Sequence, residues 1–191
     1  MFAQRNKFLR KIVYKIGKSR AKDMVNKIKL FIKLNDSILD IGSGTCNICE
    51  VLLNKGYNLT PLDIQDLSFV NNIKPIIYDG TKIPFKDNEF DKSLILTVLH
   101  HTPEPEKILN EAKRVSKRII VTEDIYSNKI HKYLTYFFDS LLNLEFTGHP
   151  HTNKSNKEWK KTFEKLGLKL LAAKYSTSFI VFRHATYYLE K

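Results

Sequence analysis

The chain reads as an α/β protein built on a doubly wound parallel sheet, and three observations predict this. Residues 38–46, Ile-Leu-Asp-Ile-Gly-Ser-Gly-Thr-Cys, form an apolar run that ends in a glycine turn. Short apolar runs suit strands buried on both faces. Ile48, Val51, Leu52 and Leu53 then follow at roughly helical spacing, completing a strand, turn and helix. Two more apolar segments, Leu59–Ile64 and Ile76–Tyr78, carry acids at their ends, Asp63 and Asp79. A further apolar strand, Leu94–Leu99, runs into His100-His101 and then a helix opened by Pro103-Glu104-Pro105-Glu106. Proline suits a first helical turn, and acids favour its positive end. Leu109, Ala112 and Val115 give that helix a face for the sheet.

The glycine turn suits a nucleotide-like ligand, because glycine lets backbone approach where a Cβ would intervene. A dinucleotide fingerprint needs a third glycine five positions after the first, and Asn47 stands there instead. The alternative is the Asp-x-Gly-x-Gly turn of proteins that bind S-adenosylmethionine. An acid about twenty residues on, such as Asp63, fits the ribose hydroxyls of either ligand. Asp63 and Asp79 are also ordinary turn-opening acids, and Gly80 an ordinary turn glycine.

Taken in order, the motifs LDIGSGT (39–45), PLDI (61–64), YDGTKIPFKDNEFD (78–91), LTVLHHTPEPEKILNEAKRV (96–115) and RIIVTED (118–124) resemble the class I S-adenosylmethionine-dependent methyltransferases that act mostly on small molecules and lipids. EWKKTFEKLGLKLL (158–171) and HATYYLEK (184–191) resemble the last helix and two closing strands of that family. The likeness runs from about Arg20 to Lys191. It implies a Rossmann-like, doubly wound, seven-stranded and mostly parallel sheet, with helices on both faces and the last strand antiparallel. It also implies S-adenosyl-L-methionine as cofactor. Gly42 and Gly44 would approach its methionine end, with Asp40 steering the ammonium through water. Asp63 would take the ribose hydroxyls, Ile64 would lie against the adenine, Asp79 would bond the adenine amino group beside Gly80, and Thr97 would offer main chain to the ammonium. One departure is Cys46, where the family usually has a third glycine. A slightly shifted methionine end is expected there, with binding retained.

Composition fits one domain with a sizeable core: 191 residues, 42% hydrophobic and 27% charged. No apolar run approaches a membrane span, and the N-terminus lacks a secretory stretch, so a cytoplasmic location is expected. Cys46 and Cys49 form a single Cys-x-x-Cys and read as buried thiols; no metal is expected. The formal charge of +12 is uneven: residues 1–33 hold eleven of the 32 basic residues and one of the 20 acids. That leader, Phe8, Leu9, Ile12, Val13 and Ile16 making an apolar stripe beside a basic face, is set apart from a methyltransferase-like domain at 34–191. It suits a lid on the site, peripheral contact with an anionic membrane, or, less well, nucleic-acid phosphates. Gly17-Lys18-Ser19 predicts a break before a second helical segment with Met24, Val25, Ile28 and Phe31.

The acceptor pocket belongs outside the carboxyl ends of the strands. A proton-bearing acceptor needs a base, and histidine suits the task. His101 is preferred to His100 on strand alternation, with Glu123 as a further catalytic candidate. Asp124, Tyr126, His149 and His151 are the acceptor-side candidates. Glu123 and Asp124 equally suit helix capping or, least well, a metal. An insertion at 127–157, with Tyr133, Leu134, Phe137, Phe138, Leu141 and Leu142, either roofs an apolar acceptor or packs on the sheet. The function expected is methyl transfer to a small or membrane-associated acceptor. RNA or ribosomal methylation and a non-catalytic cofactor-binding subunit stand as alternatives, and the oligomeric state is open.

Overall fold

A computed structural model describes residues 7–126, 152–178 and 182–191. Seven strands form one sheet: β1 (Ser37–Ile41), β2 (Asn58–Asp63), β3 (Ile76–Ile77), β4 (Phe90–Leu96), β5 (Ser116–Ile125), β6 (Lys169–Ser178) and β7 (Phe182–Glu190). Their order is β3-β2-β1-β4-β5-β7-β6. The first five are parallel neighbours, whereas β7 runs antiparallel to both β5 and β6. The expected sheet is therefore present, and its antiparallel last strand is inserted between β5 and β6.

Four α-helices are described: α1 (Lys7–Ile28), α2 (Asn47–Leu53), α3 (Pro105–Val115) and α4 (Asn156–Lys165). Strand alternation divides the core in two. Leu39, Ile41, Ile95, Ile119 and Val121 pack with Leu109, Ala112 and Val115 of α3 and with Trp159 and Phe163 of α4. Ile38, Leu94, Leu96 and Ile120 pack on the other face with Ala21, Val25 and Ile28 of α1 and with Cys49, Val51 and Leu52 of α2. Helix α4 opens with a capping box: Ser155 Oγ accepts from Glu158 N–H, and the Glu158 carboxylate accepts from Ser155 N–H at 2.7 Å.

The expected break at Gly17-Lys18-Ser19 does not occur, because α1 runs through it unbroken. Gly17 serves packing instead: a Cβ there would lie 2.4 Å from Asn47 Nδ2. Below it, Tyr14 Oη donates to Glu50 of α2 at 2.7 Å, and Lys18 pairs with Glu50 at 3.1 Å. Beyond the helix, Phe31 stacks on Tyr188 of β7 at 5.0 Å. The leader segment thus crosses one face of the sheet from α2 to β7, bordering the carboxyl edge.

Candidate active site at the carboxyl edge

The turn after β1 is built on left-handed backbone. Gly42 has φ +77° and Gly44 +50°, and Cys46, at the start of α2, has φ +58°. Cys46 therefore adopts the conformation a glycine would hold there, with its thiol buried. A Cβ on Gly42 would lie 2.6 Å from Val98 Cγ2, so the turn is pressed against the segment after β4. A Cβ on Gly44 would meet nothing within 4 Å, so this turn faces open space.

Asp63 ends β2 and closes the turn. Its Oδ2 accepts from Gly44 N–H at 2.7 Å, and its Oδ1 from Ile64 N–H at 2.7 Å. Ile64 itself is 58% exposed beside Gly80, whose hypothetical Cβ would lie 3.3 Å from Ile64 Cγ2. Asp79 is exposed and accepts from the N–H groups of Thr81 and Lys82. The Thr81 hydroxyl and those N–H groups hold its carboxyl down at about 2. Asp40 is buried under the turn, and its Oδ2 accepts a hydrogen bond from the Cys49 thiol at 3.1 Å. Burial raises its pKa to about 6, against the Cys49 bond and with help from the nearby Asp63 charge.

Strand β4 stops at Leu96, not at Leu99. Thr97 turns into φ +58° while its N–H donates to Thr122 carbonyl at 2.7 Å. Leu99–His101 form a 3-10 turn, so strand alternation does not govern the two histidines. Glu123 organises this turn. It is fully buried; Oε1 accepts from the N–H groups of Val98 (3.0 Å) and Leu99 (2.8 Å), and Oε2 meets His100 Nδ1 at 2.6 Å. His100 is buried, and His101 is half-buried with its ring centroid 4.0 Å from that of His100.

Asp124 lies on the opposite face from Glu123, and its Oδ1 meets His184 Nδ1 of β7 at 2.5 Å. Burial opposes its ionisation, but His184, then His100 and Arg20, outweigh burial and hold the carboxyl below its ordinary value. Tyr126 Oη donates to Glu158 of α4 at 2.8 Å, away from the glycine turn. His149, His151 and the aromatics at 133–142 lie outside the described residues. The structure thus gathers Asp40, Gly42, Gly44, Asp63, Ile64, Asp79, Gly80 and Thr97 along one edge, with His100, His101, Glu123 and Asp124 beside them. Sequence reasoning missed His184, whose partnership depends on a long-range strand register. Among the described residues no helix is long and apolar enough to cross a membrane, and no His/Cys/Asp/Glu cluster suits a metal.

Residues 39–119 match a family model described as a methyltransferase domain. The chain is 41% identical over 81 residues to an uncharacterised protein of Methanocaldococcus jannaschii, covering 42% of this chain and 39% of that protein. It is 34% identical over 102 residues to a ubiquinone/menaquinone biosynthesis C-methyltransferase of Rickettsia prowazekii, covering 44% and 41%. The chain spans about two-fifths of the length of these curated relatives. Its fold is similar to an S-adenosylmethionine-dependent methyltransferase structure from Archaeoglobus fulgidus, with TM-score 0.70 at 13% identity, covering 91% of this chain and 94% of that one. Magnesium protoporphyrin IX methyltransferase from Synechocystis, solved with bound S-adenosylhomocysteine, has TM-score 0.65 at 14% identity, covering 97% and 88%.

Proposed function

We propose, from the match of residues 39–119 to a methyltransferase-domain model, that this chain transfers a methyl group from S-adenosylmethionine to a small-molecule acceptor. When bound, the cofactor supplies an electrophilic methyl group on a sulfonium. The observation that carries this reading is the Gly42–Gly44 turn: left-handed backbone, open space over Gly44, and the Asp63 carboxylate fastened to the Gly44 N–H at 2.7 Å. A side chain at Gly44 would fill the space that a cofactor needs. The Asp63 carboxylate has about four acceptor positions, so its bonds from Gly44, Ile64 and, at 3.4 Å, Gln65 N–H leave capacity for a ribose hydroxyl. Ile64 lies against the adenine, Asp79 takes the adenine amino group, and Asp40 and Thr97 face the methionine end.

The quinone chemistry in the name of the Rickettsia relative supports an aromatic acceptor. His101, half-buried with its ring against that of His100, is the base among the residues named from sequence. Val13 and Ile16 are 36% and 58% exposed on α1, with Lys11 and Lys15 exposed beside them. They support peripheral contact with an anionic membrane, which sedimentation with anionic vesicles tests.

The deciding experiment is calorimetric titration with S-adenosylmethionine. Saturable binding is expected, weakened about tenfold or more, roughly 1.4 kcal/mol, by Asp63→Ala. Folded wild-type protein that binds no cofactor would refute the reading.

A further inference from the structure

We propose that Glu111 and Arg114 of α3 are positioning residues: they aim the Asp79 carboxylate at the exocyclic amino group of the cofactor's purine and so set a preference for adenine. This rests on the reading above, that the chain binds S-adenosylmethionine with Asp79 at the adenine.

Asp79, Thr81 and Lys82 form an exposed turn between β3 and β4, so hydrogen bonds at its two ends, more than packing, place it. At the amino end, Tyr78 N–H donates to the Asp63 carbonyl at 3.1 Å. Within the turn, the N–H groups of Thr81 and Lys82 donate to Asp79 Oδ1 at 2.8 and 3.0 Å. At the carboxyl end, Ile83 is gripped twice. Its N–H donates to Glu111 Oε2 and its carbonyl accepts from Arg114 Nη2, each at 2.8 Å. The buried Ile83 side chain fixes how deep the chain sits there. The two main-chain bonds fix the direction of the peptide planes on either side of it, one of which leads straight back into the turn.

Arg114 is used to capacity, since a guanidinium offers five N–H donors in a rigid fork. Nε and Nη2 hold Glu111 Oε1 and Oε2 at 2.8 and 2.7 Å, a bidentate pair. Nη2 also serves Ile83, while Nη1 serves the Phe85 carbonyl at 2.8 Å and Asp87 Oδ1 at 2.9 Å. The Arg114 carbonyl in turn accepts from Asn88 N–H at 2.9 Å. The bond from Arg114 holds the Glu111 carboxyl below its ordinary value, so the pair is ionised at neutral pH.

An ionised carboxylate only accepts hydrogen bonds. Asp79 therefore suits the amino N–H of adenine and opposes the carbonyl oxygen that hypoxanthine carries in the same place. Such discrimination depends on direction, because a hydrogen bond weakens steeply as its angle closes. A turn loosened at Ile83 keeps the charge of Asp79 and loses its aim.

The test is calorimetric titration of the full chain with S-adenosylhomocysteine and with S-inosylhomocysteine, in which a carbonyl oxygen replaces the amino group. Wild type should prefer the adenine ligand about tenfold or more. Arg114→Lys keeps the charge without the fork, and Glu111→Gln, the milder change, keeps one oxygen for Arg114 or Ile83. Each should bring the preference down to about threefold or less, in protein that urea unfolding shows to be folded. Asp63→Ala should weaken both ligands alike and leave the preference standing. Equal wild-type affinity for the two ligands would overturn the proposal, as would folded variants in which both ligands weaken alike or neither does. Wild-type protein that binds neither ligand refutes the cofactor reading itself, and the proposal falls with it.

Discussion

Replacing Glu123 by alanine should unfasten the turn after β4, and the structure sets the size of the effect. The carboxylate is fully buried and accepts from the Val98 and Leu99 N–H groups while holding His100 Nδ1. Hydrogen bonds to a charged group contribute about 1.5 kcal/mol each, and leaving buried donors unpaired costs about as much again. Breaking a buried carboxylate pair costs about 3–5 kcal/mol in total, so the three contacts together should cost about 3–5 kcal/mol. In a chain of this size that lowers Tm by roughly 6–20 °C. Glu123→Gln keeps one oxygen for the two backbone donors and lets its amide face a His100 of the other tautomer, so it should cost about 1–2 kcal/mol. Urea unfolding of both variants measures the difference, and calorimetry of the folded fraction reads the cofactor site. A Glu123→Ala protein within about 1 kcal/mol of wild type would refute the claim that Glu123 positions this turn.

Three further outcomes are expected. Gly42→Ala combines a left-handed backbone with a 2.6 Å approach to Val98 and should lose about 2–4 kcal/mol in urea unfolding. Gly44→Ala has room for its methyl group, so it should lose only about 1 kcal/mol of stability while weakening S-adenosylmethionine binding in calorimetry. For Asp40, burial raises the carboxyl from its ordinary 3.8 to about 6. Its contribution to stability is therefore full below about pH 4 and is lost as pH rises through 6. Cofactor affinity, which calls on the carboxylate, should instead rise between pH 5 and 7, and Asp40→Asn should flatten that rise.

Local chemistry made half of this site legible. A strand, glycine turn and helix need only neighbouring residues to declare themselves, and Gly42, Gly44, Asp63 and Thr97 all fall on the edge that pattern predicts. What stayed hidden depends on contacts between distant segments. Gly17 looks like a helix breaker in sequence, yet it is a packing glycine whose reason, Asn47, lies on another helix. The preference for His101 assumed a strand that continues past Leu96, and Glu123 ends it by binding two backbone N–H groups of the next turn. His184 sits in a run of strand residues with nothing to mark it, and only the register of β5 against β7 sets it beside Asp124.

That register also fixes when the site is finished during folding. Strands β6 and β7 are sequence neighbours and pair as a local hairpin, whereas β7 reaches β5 across a long loop: Thr122 and Thr186 are 64 positions apart. Closing so long a loop costs chain entropy before its contacts return any stabilisation. The hydrogen bonds of the glycine turn, by contrast, close within β1, α2 and β2. A refolding molecule should therefore close the bonds of its glycine turn early and join Asp124 to His184 last, when the hairpin docks. In pulse-labelling hydrogen exchange during refolding, amides of β1 and β2 should gain protection before those that pair β5 with β7.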